Sequence, residues 1–235
     1  MTTINIRKLK IKCSLKCGTT FIHSIKYCLE RDNLLNNITI DKNIIILRNP
    51  YERIISYYLN KLINTKGYRK PQWHKNPVKQ YETDCNNIHF FIDQKYKKLY
   101  NNYYFYDLSF KEFLNILFTI DINHLEPHLL PQKYILNESN IDEFDIIDLN
   151  LLTDTLIDYF QLQNINIIPY LKNEANSTIY DNKLDICCGN WKLNNYKEKG
   201  TPNNKNIDNY FDEELFNKFN NYYKDDIDIF NYYIK

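Results

Sequence analysis

Lys10-Ile-Lys-Cys-Ser-Leu-Lys-Cys-Gly-Thr-Thr-Phe21 is the stretch on which the reading of this chain turns. Ile4, Ile6, Leu9, Ile11 and Cys13 lead into it, mostly in alternation, as in a short strand. Phe21, Ile22, Ile25 and Leu29 follow at the three- and four-residue spacing of a buried helix face, which predicts a helix over Thr19 to Arg31. A strand that turns through Gly18 into a helix N-terminus favours an anion. The first backbone N–H groups lack intrahelical partners, the dipole is positive there, and Gly lets a phosphate approach the main chain. Lys16 adds a point charge, and Thr19 and Thr20 add hydroxyls. An ordinary strand-to-helix turn with a solvated Lys has the same letters.

The second strand-to-helix junction lies further on. Asn43-Ile-Ile-Ile-Leu47 is the nearly continuous apolar run of a buried parallel strand. Arg48-Asn49-Pro50 breaks it, and Pro50 suits a first helical turn. Ile54, Ile55, Tyr58, Leu59 and Leu62 then trace a helix face to about residue 64. Two parallel strands with a helix between them require a crossover, and the expected fold is α/β, a three-layer α/β/α arrangement around a mainly parallel sheet. Arg48 leaves the carboxyl edge of its strand, where ligands of open α/β sheets bind. Its guanidinium can fork onto a phosphate, and Ser56 can offer a hydroxyl from about two turns into the helix. Arg53 reads equally well as a surface ion pair.

Composition narrows the function classes. The 235 residues suit one domain, and the 43% of hydrophobic residues are enough for a core. Thirty basic residues against twenty-nine acidic ones give a net charge of +1, which argues against a general nucleic-acid binder. The N-terminal segment has no long apolar core and the chain no run of about 18 apolar residues, so neither a signal peptide nor a membrane span is expected. Six cysteines without zinc-type pairing read as reduced thiols, and the location expected is the cytoplasm.

Residues 66–106, with Trp73, His74, His89 and many tyrosines, are expected to cover the cleft and help select the acceptor. Lys95, Lys97 and Lys98 fit either an anionic acceptor or a solvated face. Leu108 to Phe118 is an amphipathic helix with Ser109 near its cap. His124-Leu-Glu126-Pro127-His128-Leu-Leu-Pro131-Gln132 is a constrained loop with two imidazoles and a carboxylate. A neutral imidazole with an ordinary pKa of about 6.5 can take a hydroxyl proton at neutral pH. His128, His124 and Glu126 are all candidate bases, and a histidine that caps loop carbonyls is the structural alternative. Phe144 to Asp148 reads as a strand, Asn150 as the cap of a helix to about Phe160, and Asp212 to Phe216 as the acidic start of another helix.

Lys16-x-Gly18-Thr19-Thr20 is not the nucleoside-triphosphate loop, whose Lys follows its second Gly. It resembles the 5′-phosphosulfate loop of sulfotransferases that use 3′-phosphoadenosine 5′-phosphosulfate (PAPS). Arg48-Asn49-Pro50-Tyr51-Glu52-Arg53-Ile54-Ile55-Ser56-Tyr57-Tyr58 resembles the 3′-phosphate segment of carbohydrate sulfotransferases of the chondroitin/dermatan/HNK-1 type, and Asn60-Lys61-Leu62 continues it with Leu for the usual Phe. His128-Leu-Leu-Pro131-Gln132 after Phe110 and Phe113 resembles that family's His-x-x-Pro-Gln stretch. Tyr223 to Tyr232 resembles its closing Tyr-x-x-Asp-Phe-x-x-Phe-x-Tyr packing signature. Gly189-Asn190-Trp191-Lys192 and Lys197-Glu198-Lys199-Gly200-Thr201 resemble, in reversed order, the nucleotide-closing region of cytosolic sulfotransferases.

The resemblance implies a single sulfotransferase-like domain over residues 1–235 and sulfuryl transfer from PAPS to an acceptor hydroxyl. Lys16 and the N–H groups of Cys17, Gly18, Thr19, Thr20 and Phe21 would hold the 5′-phosphosulfate. Arg48 and Ser56 would hold the 3′-phosphate, and Lys16 and His128 would be catalytic. It implies no metal. The partner is an acceptor glycan, or another hydroxyl-bearing substrate such as tyrosine or a small alcohol. Two rival readings remain: a nucleotide or small-molecule kinase with a variant loop, and a binding protein on a sulfotransferase scaffold.

Overall fold

The computed structural model describes residues 2–15, 17–63, 92, 95, 97–100, 103–171, 187–192, 195–196, 199 and 206–234, those at 97–100 and 103–106 as backbone only. The chain forms two compact units. One comprises Met1–Pro50, Pro131–Ser177 and Asp225–Lys235, and the other Tyr51–Leu130 and Thr178–Lys224.

The first unit is built on a four-stranded sheet whose strands lie in the order β1 (Thr2–Ile6), β2 (Leu9–Cys13), β3 (Asn43–Leu47) and β6 (Asp145–Asp148). β2, β3 and β6 run parallel, and β1 pairs antiparallel at the edge. The single strand expected over residues 4–13 is thus a hairpin, with Thr2 opposite Cys13 and Ile6 opposite Leu9. The reason is visible in the alternation. Ile4 and Ile6 are even-numbered, whereas Leu9, Ile11 and Cys13 are odd-numbered, and the phase slips across Arg7-Lys8. Arg7 makes the reversal at φ 57°, and all five apolar residues end buried. Two strands with opposite parity keep one apolar face only if the chain turns between them.

Both faces of the sheet are covered. On one, Ile11, Ile44 and Ile46 pack with Ile22, Ile25 and Leu29 of α1 (Thr19–Arg31) and with Leu152, Leu156 and Phe160 of a second helix, Leu152–Gln161. On the other, Ile45 and Leu47 pack with Ile135 and Leu136 of the short helix Lys133–Asn137 and with Ile229 and Phe230 of the C-terminal helix Lys224–Tyr233. The fold class is therefore α/β with a mainly parallel sheet, and α1 and β3 occupy the expected residues. The helix after β6 differs at its start. Asp148, not Asn150, is the cap, accepting the Asn150 N–H at the head of a 3₁₀ turn over Leu149–Leu151. The closing packing residue is Tyr233, while Tyr232 is 71% exposed.

The second unit takes over within α2 (Pro50–Tyr57), which continues as a π-helical turn, Tyr58–Ile63. It also holds the antiparallel hairpin β4 (Lys97–Tyr100) and β5 (Tyr103–Tyr106). Two further helices are α3 (Phe110–Leu117) and a helix over Glu213–Tyr222. In chain order, Lys133–Asn137 is α4, Leu152–Gln161 α5, Glu213–Tyr222 α6 and Lys224–Tyr233 α7. Ser109 caps α3 in a complete capping box with Glu112, and Asp212 caps α6 through the Leu215 N–H. The core is aromatic. Tyr57, Tyr58, Phe110, Phe113, Tyr210 and Phe219 are buried, and Tyr58 Oη, 3.0 Å from the Leu108 carbonyl, donates to it. No helix among the described residues is long and apolar enough to cross a membrane.

Candidate active site

The loop after β2 begins at Ser14. The Cys17 N–H donates to the Ser14 carbonyl at 3.2 Å, and Ser14 Oγ lies 3.0 Å from Cys17 Sγ, so the turn is closed by main chain and side chain together. Gly18 follows in the left-handed conformation, φ 79° and ψ 8°, as the N-cap of α1. A Cβ there would lie 2.8 Å from Leu149 Cδ1 and 3.1 Å from Leu152 Cδ2. Conformation and space therefore both call for glycine. The first i→i−4 bond of the helix is Ile22 N–H to the Gly18 carbonyl, 3.0 Å, so the N–H groups of Thr19, Thr20 and Phe21 lie ahead of the helical ladder. The N-cap Gly18 has no side chain to cap this helix end, and no acidic residue sits in its first turn. The geometry suits an anion from outside the chain. Lys16, the charge expected to stabilise it, lies outside the described residues.

The β3–α2 junction leaves the same edge of the sheet. β2 and β3 are hydrogen-bonded neighbours with Cys13 opposite Ile46, so Ser14–Thr20 and Arg48–Pro50 both emerge at the carboxyl ends of adjacent parallel strands. One buried side chain joins them. Gln132, 1% exposed, accepts the Arg48 N–H on Oε1 at 2.9 Å and donates Nε2–H to the Arg48 carbonyl at 2.8 Å. Its Oε1 also accepts from Cys17 Sγ at 3.3 Å. A primary amide here does what a neighbouring strand would do for Arg48 and ties the β2 loop to it. The Lys133 N–H, the next along, donates to Asp226 Oδ1 at 3.0 Å, and Asp226 is 1% exposed. The tail motif thus fixes the start of α4, and with it Gln132.

Further along α2, in the second unit, Ser56 is 7% exposed, and Asn60 Nδ2 donates to its carbonyl at 2.9 Å. Arg53 is not a surface ion pair. It is 3% exposed, and Nη1 donates to the carbonyls of Leu130 at 2.9 Å and His128 at 3.4 Å, with the guanidinium over the Tyr223 ring. Tyr223 Oη donates to the Leu129 carbonyl at 2.7 Å. Three successive carbonyls of the histidine loop are therefore taken by two buried side chains.

Within that loop the Leu129 and Leu130 N–H groups return to the Glu126 carbonyl. Glu126 Oε2 lies 2.8 Å from His128 Nδ1 and 3.1 Å from the His128 backbone N. His128 therefore bonds a carboxylate through its ring rather than capping loop carbonyls. Its side chain is 28% exposed against 8% for Glu126, so the imidazole is the more accessible of the two. His124 ends a separate 3₁₀ turn, Ile122–His124, and is exposed.

Sequence reasoning missed Gln132, although Pro131-Gln132 stood in the quoted motif. It also left open the roles of Glu126 and Arg53, where the Glu-x-His spacing and the position of Arg53 on the apolar side of α2 were the available signals. Trp191 is buried, and Lys199 Nζ sits 5.2 Å above its ring; Gly200 and Thr201 lie outside the described residues, as do Trp73, His74 and His89. Among the described residues no group of three or more His, Cys, Asp or Glu is placed to hold a metal ion.

No curated protein and no solved structure matches the chain. The family model described as sulfotransferase family matches residues 24–233. That match begins beyond the β2 loop, so it stands independently of the Lys16–Phe21 motif while covering both the Arg48–Ser56 segment and the histidine loop. It spans most of the chain, and the chain belongs to the sulfotransferase family.

Proposed function

We propose that this protein transfers a sulfuryl group from PAPS to an acceptor hydroxyl, on a carbohydrate in the first instance. One observation carries the donor assignment. Two anion-suited junctions, in family order, leave the carboxyl ends of neighbouring parallel strands and share one buried amide, Gln132. PAPS supplies the activated sulfuryl group on a phosphate leaving group. The chain's own residues bind and orient. Lys16 and the N–H groups at the start of α1 hold the 5′ side, and Lys16 balances the charge that develops on the phosphate oxygen. Arg48 and Ser56 hold the 3′-phosphate. His128 takes the acceptor proton. Most of the rate enhancement then comes from positioning and from fixed charges. No metal is needed.

Calorimetric titration with 3′-phosphoadenosine 5′-phosphate, with ATP as comparison, tests the donor site on wild type and Arg48→Ala. Binding of the bisphosphate in preference to ATP, weakened in the variant, is expected. Preference for ATP would turn the reading toward a kinase, and binding of neither toward a scaffold without the donor site. Lys16→Ala is expected to lower turnover by about 10²–10³-fold; unchanged turnover would remove Lys16 from the chemistry.

A further inference from the structure

We propose that Glu126 and His128 act as a dyad in which Glu126 is the positioning residue. It holds the His128 imidazole as the Nδ1–H tautomer, so that Nε2 is the bare nitrogen that receives the acceptor proton. The carboxylate oxygen Oε2 is 2.8 Å from Nδ1 and also accepts the His128 backbone N–H at 3.1 Å. An ionised carboxylate can only accept, so the ring nitrogen facing it must carry the hydrogen. One oxygen that holds both the backbone and the ring of the same residue fixes the side chain as well as the tautomer.

The loop around the dyad is held by a side chain of α2 and by one at the C-cap of α6. Arg53 takes the His128 and Leu130 carbonyls and Tyr223 takes that of Leu129. The ring of Tyr57, its centroid 6.1 Å from that of His128, limits the imidazole further. Glu126 is largely buried while His128 remains partly exposed. This division of labour suits a carboxylate that orients and an imidazole that meets substrate. It assigns two of the three candidate bases different tasks.

The catalytic role rests on the sulfotransferase reading; the pairing does not. In the transfer step an acceptor oxygen lone pair forms the new O–S bond. The S–O bond to the 5′-phosphate breaks, and its electron pair stays on the phosphate oxygen. The acceptor hydroxyl proton passes to His128 Nε2. The bond from Nδ1–H to Glu126 strengthens as the ring becomes cationic, as carboxylate partners do for general-base histidines.

Nitrogen-15 NMR of the full chain labelled at histidine reads the tautomer directly. His128 is assigned as the resonance missing from His128→Gln, and spectra are taken at about pH 8.5, where an ordinary imidazole is neutral. In wild type the protonated nitrogen is expected to be Nδ1. Glu126→Ala is expected to move the ring toward the Nε2–H form that unconstrained histidine side chains prefer. Glu126→Gln retains an accepting oxygen and should hold much of the Nδ1–H form. An Nε2–H ring in wild type overturns the proposal without any further variant, and so does a tautomer that ignores Glu126→Ala in a folded protein. In sulfuryl transfer, Glu126→Ala should lower kcat by about 10–100-fold, the range known for carboxylates that orient metal-bound histidines, with donor KM unchanged and a smaller loss in Glu126→Gln. Unchanged kcat overturns the catalytic role. An Nδ1–H ring in a chain that transfers no sulfuryl group would defeat the proposed function and leave the pairing standing.

Discussion

At the β2 and β3 junctions a neutral amide, Gln132, grips main chain; at the histidine loop two ionisable side chains, Arg53 and Glu126, do so together with the Tyr223 hydroxyl. The difference follows from what each region has to present. The junctions present backbone N–H groups and the direction in which Arg48 leaves its strand. On the donor reading, a neutral side chain fixes these without adding a charge of its own beside the proposed anion site. On the dyad reading, the histidine loop presents one ring nitrogen in one tautomer. An orienting carboxylate sets that state, and a buried guanidinium with several donors can hold more than one carbonyl of a tight turn.

The sharpest test of that contrast is Gln132→Ala. It strips the Arg48 N–H and carbonyl of their amide partner and removes the acceptor from Cys17 Sγ. Each buried backbone group left without a partner costs about 1–3 kcal/mol. Urea denaturation should show the largest stability loss of the variants considered, and bisphosphate affinity should fall with it. Unchanged affinity in a folded variant would break the link between Gln132 and the donor side. Arg53→Met is next. It withdraws the donor from the Leu130 and His128 carbonyls, and a destabilisation of about 1–3 kcal/mol is expected. On the dyad reading its main functional effect is on kcat, because the histidine loop loses its anchor while the junctions keep theirs. A selective loss of donor affinity would contradict the assignment of Arg53 to the loop.

Local order was easier to read than these anchors. α1 and β3 occupy the residues that periodicity and Pro50 indicate, because a buried helix face and a doubly covered strand write themselves into adjacent positions. The hairpin over residues 2–13 was legible only to parity: a single step out of phase at Arg7-Lys8 was the whole signal. Asp148 displaced Asn150 as a cap because the chain enters α5 through a 3₁₀ turn, which shifts the cap back by two residues. The Gln132 contacts had no such signature. They join residues 84 and 115 positions apart, and neither propensity nor period carries information over that span. The motif letters Pro131-Gln132 marked the place, but their task emerges only when β2, β3 and α4 are side by side.

Helix caps extend the contrast at a smaller scale. Asp226, buried, caps α4 from the first unit's C-terminal helix, while Ser109 caps α3 within a capping box of the second unit. Asp226→Ala and Ser109→Ala should each cost about 0.5–2 kcal/mol in denaturation experiments. The Asp226 variant should also loosen Gln132, which precedes the capped N–H, and so weaken bisphosphate binding. The Ser109 variant should leave that binding alone. Equal effects on affinity would mean that Asp226 acts on overall stability only.

The smallest expected effect is also the most local. Cys187 is exposed, whereas its neighbour Cys188, Cys13 at the end of β2 and Cys17 in the following loop are buried. Burial pushes the Cys13 and Cys188 thiols up to about 12. The thiolate is the form that reacts with alkylating agents, and a raised pKa keeps a thiol protonated until pH approaches that value. Raising the pH from about 7 to 9 therefore does not bring these two into reach. In a Cys85→Ser background, native labelling followed by peptide mass mapping should find Cys187 modified first. Cys17 should react only through local opening, because its Sγ is held between Ser14 and Gln132. Gln132→Ala removes one side of that clamp, and the rate at Cys17 should rise while those at Cys28 and Cys188 stay unchanged. Cys17 reacting as fast as Cys187 in wild type would mean that the amide does not close the β2 loop. A uniform rise at Cys13, Cys17 and Cys28 in Gln132→Ala would mean that it supports the whole first unit rather than the junction.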